Sequence, residues 1–250
     1  MPTIDLNCDM GESFGAWTMG NDLAILDHVT SANIACGYHG GDHDVMLATV
    51  RAAVQRGVAV GAHPGLPDLQ GFGRREMIMS PTEIYALVIY QVGALLGFAQ
   101  ASNTRLHHVK PHGALYNMTA RKLDLAQAVA QAVHDVDPTL QLYVANANLT
   151  QAALEKGLPV AYEVFADRSY QDDGTLTPRS QPHAMIEDVE TSIAQVRRMI
   201  FEGKVRALSG LDVDIRADTL CIHGDQPNAL PFAQQLRAAL TRDGVTLQTT

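Results

Sequence analysis

Cysteine is scarce: Cys8, Cys36 and Cys221 are all that a 250-residue chain contains, an odd set with no CxxC pair. That excludes a disulfide scaffold and a four-thiolate metal knot. Each cysteine lies beside an apolar run and reads as a buried, reduced thiol. Positive charge is thin as well. Lys+Arg 18 stand against Asp+Glu 27, a formal net charge of −9, which excludes the clustered cationic surface that a nucleic-acid partner requires. No unbroken apolar run reaches the roughly 18 residues of a membrane helix. Met1–Asp9 enters a strand-like segment directly, without a basic leader, an apolar signal core or a cleavage site. The expectation is a cytoplasmic protein with no membrane role. Also lacking are a GxxxxGK[ST] loop, a strand-GxGxxG-helix fingerprint and a GxSxG elbow, so neither a nucleotide cradle nor a serine-hydrolase nucleophile is evident.

What is present is apolar material, 46% of residues, enough for a full core. Because α/β barrels reach this length as one unit, a single domain over residues 1–250 is expected. Strand-like runs at Thr3–Asn7, Ser31–Ala35, Val58–Ala62, His108–Lys110, Gln141–Val144, Val160–Phe165 and Thr219–Ile222 alternate with helical patterns. Those helices are expected at Val45–Gln55, Pro81–Ala101, Leu123–His134, Leu149–Lys156 and Glu187–Phe201. The rhythm is that of βα units around a parallel sheet, closed or nearly closed into a seven-stranded barrel. Ser80, Pro81 and Glu83 spell a capping box with proline at the first helical position, and Gly57 and Gly157 read as carboxy-terminal caps. Asp167–His183 is polar and reads as a long loop, a candidate lid.

The chemistry gathers where strands end. Asp9 and Glu12 follow the first strand, His39 and Asp42 the second, His63 and Asp68 the third. Lys110, His112 and Asn117 follow the fourth, Glu163, Asp167 and Arg168 close the sixth, and His223 and Asp225 follow the last. A single Asp or His after a strand is as often a helix cap as a functional group. The repetition carries the argument: in a parallel barrel all strand exits share one face, so residues 200 apart in sequence meet in one cleft. Glycines around His39, His63, His112 and His223 point to loops whose backbone approaches a small ligand closely. Asp9, His63 and His112 form a candidate set for a divalent metal, since one carboxylate and two imidazoles suit such an ion with open positions. His39 and His43 are four apart, but the intervening glycines argue against a shared helical face, and His43 reads as a solvent-facing helix start. His107 and His108 are less informative, because neighbours on a strand face opposite ways.

Seven segments, in order, resemble the signatures of the LamB/YcsF family. They are Asp5-Leu-Asn7-Cys-Asp9-Met-Gly-Glu12, Asn33-Ile-Ala-Cys-Gly37-Tyr-His39-Gly-Gly-Asp42 and Gly61-Ala-His63-Pro-Gly65, then Gly71-Phe-Gly-Arg74-Arg75 and Val109-Lys110-Pro-His112-Gly-Ala-Leu-Tyr116-Asn117. The last two are Glu163-Val-Phe-Ala-Asp167-Arg168 with Tyr170, and Ile222-His223-Gly-Asp225. The resemblance covers essentially the whole chain. The family pattern has alanine at the place of Gly40 and proline at that of His43, where this chain departs. The resemblance implies an irregular seven-stranded (β/α) barrel of the glycoside hydrolase/deacetylase type. It also implies the A component of a 5-oxoprolinase, which with two partner subunits, B and C, opens 5-oxoproline to glutamate while hydrolysing ATP. ATP would then be handled largely through the partners. On that expectation Asp9 or Glu12 activates water, His39, His63 and His112 handle protons or hold a metal, and Lys110 and Arg168 stabilise the developing anion. Asn7, Asp42, Asn117, Glu163, Asp167, His223 and Asp225 are the substrate-binding candidates. Two rivals stay open: a metal-dependent deacetylase, and a noncatalytic component that only presents the lactam.

Overall fold

A computed structural model of the chain describes residues 1–222 and 228–250. It opens with β1 (Thr3–Met10), α1 (Asp22–Ile25), β2 (Ser31–Ala35), α2 (His43–Gln55), β3 (Ala59–His63), α3 (Pro81–Ala101) and β4 (Leu106–Val109). Next come α4 (Gly113–Arg121), α5 (Leu123–Val136), β5 (Gln141–Val144), α6 (Ala147–Glu155), β6 (Val160–Phe165) and α7 (Val189–Glu202). The chain ends with β7 (Lys204–Arg206), β8 (Asp212–Asp214), β9 (Thr219–Ile222), α8 (Ala229–Arg242) and β10 (Thr246–Leu247).

Strands β1 to β6 pair in parallel and in sequence order, β6 pairs with β9, and β9 returns to β1. The result is the expected closed parallel barrel of seven strands. β10 extends β1 at its start, and β7 and β8 form an antiparallel hairpin outside the barrel. The alternation in β1 explains what fills the barrel. Ile4, Leu6, Cys8 and Met10 belong to the apolar core, while Asp5, Asn7 and Asp9 are buried polar residues. Successive strand residues face opposite sides, so the apolar set meets the helical ring and the polar set lines the lumen.

The lumen is therefore a hydrogen-bonded interior. At its lower end Asp5 accepts from Thr30, Ser31, Tyr143 and Thr219. Four charge-assisted bonds offset the desolvation of one buried carboxylate.

Helix ends follow their sequence signals. Ser80 and Glu83 make the reciprocal capping box of α3, with Pro81 in the first turn. Gly57 and Gly157 take left-handed φ of 68° and 73° after α2 and α6. All three cysteines are buried and unpaired. By length and composition α3 passes for a membrane span, yet Ile84, Leu87, Val88, Val92, Leu95 and Ala99 face the core, and Gln91 is buried with them.

Some elements differ from expectation. β1 runs three residues beyond Asn7, and β4 begins at Leu106 and stops before Lys110. α4 and α8 were not foreseen. α4 begins directly on the His112 motif, where functional residues mask helical periodicity, and α8 follows the His223 motif. The β7–β8 hairpin is too short for an alternation signal. The long polar stretch after β6 is a loop, pinned by the Arg168–Met185 and Tyr170–Leu176 bridges.

Candidate active site

At the carboxy-terminal mouth of the barrel the strand ends place their side chains against one another. Lys110, 2% exposed, donates to Asp9 Oδ1 at 2.8 Å, to Asn7 Oδ1 at 3.3 Å and to Cys221 Sγ at 3.1 Å, and stands 2.8 Å from Glu163 Oε1. Burial opposes its charge, but Asp9, Cys221 and Glu163 outweigh burial and hold the ammonium well above the usual lysine range. Lys110 is thus a fixed cation between two carboxylates. Asp9 Oδ1 also accepts from Asn33 Nδ2 at 2.8 Å, so its carboxylate is oriented from below and turns Oδ2 toward His63 Nε2, 3.3 Å away. Glu163 Oε2 accepts from the Tyr116 hydroxyl at 3.0 Å. Burial and then Glu163 push that phenol well above its ordinary range.

Beside this pair lies a cluster of three histidines and Glu12. The atoms they offer as ligands all lie within 4.8 Å of one another. His39 Nε2 is 3.3 Å from Glu12 Oε1, and His112 Nδ1 is 3.8 Å from it. The His39 and His112 rings stack with centroids 3.7 Å apart. Gly73 (φ 62°) lets the loop over the cluster close, since a Cβ there would lie 2.7 Å from the His39 Cβ and 2.9 Å from His112 Cδ2.

Hydrogen bonding assigns the tautomers. His63 Nδ1 faces the Lys110 carbonyl at 2.7 Å, and His112 Nε2 faces the Phe72 carbonyl at 2.8 Å. A carbonyl only accepts, so both nitrogens carry hydrogen. The remaining ring nitrogens, His63 Nε2 and His112 Nδ1, are 2.9 Å apart. In neutral rings these are two lone pairs aimed at each other, with Asp9 Oδ2 and Glu12 Oε1 adjoining. Burial, followed by His63, holds His112 well below the usual histidine range, and burial followed by His112 and His63 does the same for His39. Acceptors converging in this way call for a positive centre, either a proton shared between rings or a metal ion. Imidazoles whose far nitrogens are fixed by backbone carbonyls are the arrangement metal ligands favour. Among the described residues, His39 Nδ1 is a buried ring nitrogen without a hydrogen-bond partner. The cluster is a candidate site for a divalent ion.

The other expected residues divide. Asn7 lies in the lumen and donates to Thr219 Oγ1 at 2.7 Å. Asp167 is buried in the turn that follows β6. Arg168 is buried, but its Nε and Nη2 donate to the carbonyls of Ala184 and Thr177, at 3.2 and 2.5 Å. It fastens the long loop. Burial and the charge of Arg179 lower it to about 10. Asp42 caps α2 by accepting from Val45 N, and also takes Gly15 N. Asn117 is exposed on α4, apart from the cluster. His43 is exposed at the start of α2 beside Asp44, as expected. His223 and Asp225 lie outside the described residues. A cavity of about 680 Å³ adjoins the mouth between β5 and β6, where Asn146, Tyr162, Phe165 and Tyr170 line it and Glu163 reaches it.

The sequence reading gave no role to Asn33, His108, Phe72 or Gln91. Gln91, from α3, donates to Gly65 O and accepts Gly65 N, both at 2.9 Å, and so clamps the turn after His63. A buried glutamine in an apolar helix was the available signal. For Asn33 it was a polar residue within a run of small apolar ones.

The chain matches the LamB/YcsF family over residues 4–250. It is 68% identical over 249 residues to a Bordetella bronchiseptica protein named as a 5-oxoprolinase A subunit, covering 100% of both chains. The crystal structure of a lactam utilization protein from Thermus thermophilus superimposes with a TM-score of 0.95 at 50% identity, over 99% of this chain and 100% of that one. A T48 deacetylase with substrate shares the fold alone, with a TM-score of 0.50 at 13% identity over 99% and 88% of the two chains.

Proposed function

The chain belongs to the LamB/YcsF family, and we propose that it is the A component of a 5-oxoprolinase, a hydrolase that opens a cyclic amide. The substrate is 5-oxoproline and the product glutamate, with the reaction coupled to ATP hydrolysis in a cytoplasmic complex with B and C partner subunits. The observation that carries this reading is the convergence of Asp9, Glu12, His39, His63 and His112 at one barrel mouth, beside a lysine already neutralised by carboxylates.

A lactam amide is a poor electrophile. ATP makes it reactive by phosphorylating the carbonyl oxygen, after which water adds to the ring carbon, the C–N bond breaks to leave an acyl phosphate, and a second water hydrolyses that to the carboxylate and free phosphate. This chain supplies the groups for the second half. Asp9, paired with Lys110 and oriented by Asn33, accepts the water proton through Oδ2. Asp9 then carries that proton to the ring nitrogen that leaves as the amine, while His63 Nε2, 3.3 Å from Asp9 Oδ2, keeps its lone pair toward the cluster. Glu12, His39, His63 and His112 would hold a divalent ion, which supplies Lewis-acid polarisation of an oxygen and a lowered pKa for water. Lys110 acts on the anion only through the carboxylates it binds, and Arg168 through the loop it fastens. The cavity beside Glu163 has room for the lactam.

The test is reconstitution of the chain with its two partner subunits, following glutamate formation from 5-oxoproline with each component and ATP omitted in turn. Glutamate that requires both ATP and this chain supports the reading. A folded complex that makes none, together with ATP-independent deacetylation by the isolated chain, overturns it.

A further inference from the structure

Below the reacting layer sits a titratable side chain that the mechanism leaves unused. His108, on β4, is buried and enters the lumen over Gly61 of β3. A Cβ at Gly61 would lie 2.1 Å from His108 Nε2, against a ring packed in place. Only glycine leaves that space. The ring stacks on Tyr143 with centroids 4.1 Å apart and planes 3° from parallel.

The contact of His108 with Asn33 inside the lumen has a fixed sense. Asn33 Nδ2 meets Asn7 Oδ1 at 2.7 Å and Asp9 Oδ1 at 2.8 Å. The Asp9 carboxylate accepts only, and Asn7 Oδ1 is also the atom that Lys110 donates to. The Asn33 amide nitrogen must therefore face these two oxygens, and its carbonyl must face His108 Nε2, 2.7 Å away. His108 is then the donor. Burial, then the charges of His107 and Lys110, hold the ring neutral, so its single hydrogen sits on Nε2.

We infer that His108 is a positioning residue: through its Nε2–H it locks the Asn33 amide, which in turn orients the Asp9 carboxylate for the reaction. Without the donor, the Asn33 carbonyl loses its partner in a dry interior, the amide gains a reason to rotate, and Asp9 Oδ1 loses one of the bonds that aim Oδ2 at His63. In a low-dielectric interior an unpaired polar group is costly, which drives the amide to seek another partner. The proposal rests on the reading of Asp9 as the base, but not on the identity of the substrate.

The test compares His108→Leu, which lacks the donor, with His108→Gln, whose amide can donate to Asn33 from a similar position, in the reconstituted complex. His108→Leu lowers kcat at least about tenfold with KM for 5-oxoproline within about twofold of wild type, and His108→Gln recovers kcat to within about threefold. Tyr143→Phe, which keeps the stacked ring but loses the bond to Asp5, leaves kcat within about twofold. Should the leucine variant fail to fold, His108→Met, unbranched and of similar volume, takes its place. Wild-type kcat in the leucine or methionine variant, or an equal loss in the glutamine variant, would overturn the relay. If the wild-type complex makes no glutamate, the same variants are decided by crystal structure. An Asp9 carboxylate rotated in His108→Leu and unmoved in His108→Gln supports the relay, and a carboxylate unmoved in both refutes it.

Discussion

Lys110 shows how one residue is fixed by its surroundings. Two carboxylates, an amide oxygen and a thiol meet its ammonium in the lumen, so its charge is offset by Asp9 and Glu163 on either side where water is excluded. Replacing one partner of such a buried set leaves uncompensated charge, at a cost of roughly 3–5 kcal/mol. Lys110→Met is expected to lose stability on that scale in a denaturant titration. A loss below about 1 kcal/mol would mean that the ion pairs are far more hydrated than their burial implies. The histidine cluster carries its own expectation. Isothermal titration of the chain with Zn²⁺ or Mn²⁺ should show one site, abolished in the His63→Ala, His112→Ala double variant. Binding unchanged in that variant would place the ion elsewhere. At this scale the sequence was legible in part. Strand-exit spacing brought Asp9, Glu12, His39, His63, Lys110 and His112 together, because a parallel barrel admits one answer. Asn33 and His108 were hidden, since a polar residue in a strand is readable only once the lumen is known to be polar.

At the scale of elements, the loop after β6 depends on Arg168. The guanidinium binds the carbonyls of Thr177 and Ala184, Ser169 and Thr177 join their hydroxyls at 2.8 Å, and Gln195 of α7 reaches the Arg168 carbonyl at 2.9 Å. Arg168→Ala should free residues 169–185. Limited proteolysis would then cut in that segment at least about tenfold faster while the barrel stays resistant. Unchanged cleavage would show that the bridges to Met185 and Leu176 suffice. Sequence reading anticipated this loop from its polarity, and assigned its arginine to an anion. The guanidinium looks the same in sequence whether it meets phosphate or backbone carbonyls; burial among carbonyls decides. Likewise Asp42 looked like a site residue, yet serves as the N-cap of α2, a role that its place before His43-Asp44-Val45 already permitted.

For the whole molecule, buried neutral histidines set the response to acid. His39, His108 and His112 all fall well below the ordinary histidine range, burial being the first cause in each. Folded, they stay neutral; unfolded, they bind protons below about pH 6.5. The unfolded chain therefore takes up more protons as pH falls, and stability present above about pH 6.5 is lost below it. Each histidine accounts for about 1.4 kcal/mol per pH unit until its folded pKa is reached. Denaturant midpoints of the metal-free chain should drop steeply between about pH 6.5 and 5, and a flat profile would mean that these rings are protonated in the fold.

Under the proposed function, the reaction belongs to this chain and not only to its partners. The measurement that tests this most directly is glutamate formation by the reconstituted complex carrying Asp9→Asn, with assembly checked on the same sample. An asparagine keeps the shape and the bond from Lys110 but is no base, so turnover should fall by about a thousandfold or more. An assembled Asp9→Asn complex that turns over at the wild-type rate would contradict that placement and leave the chain as a component that only presents the lactam.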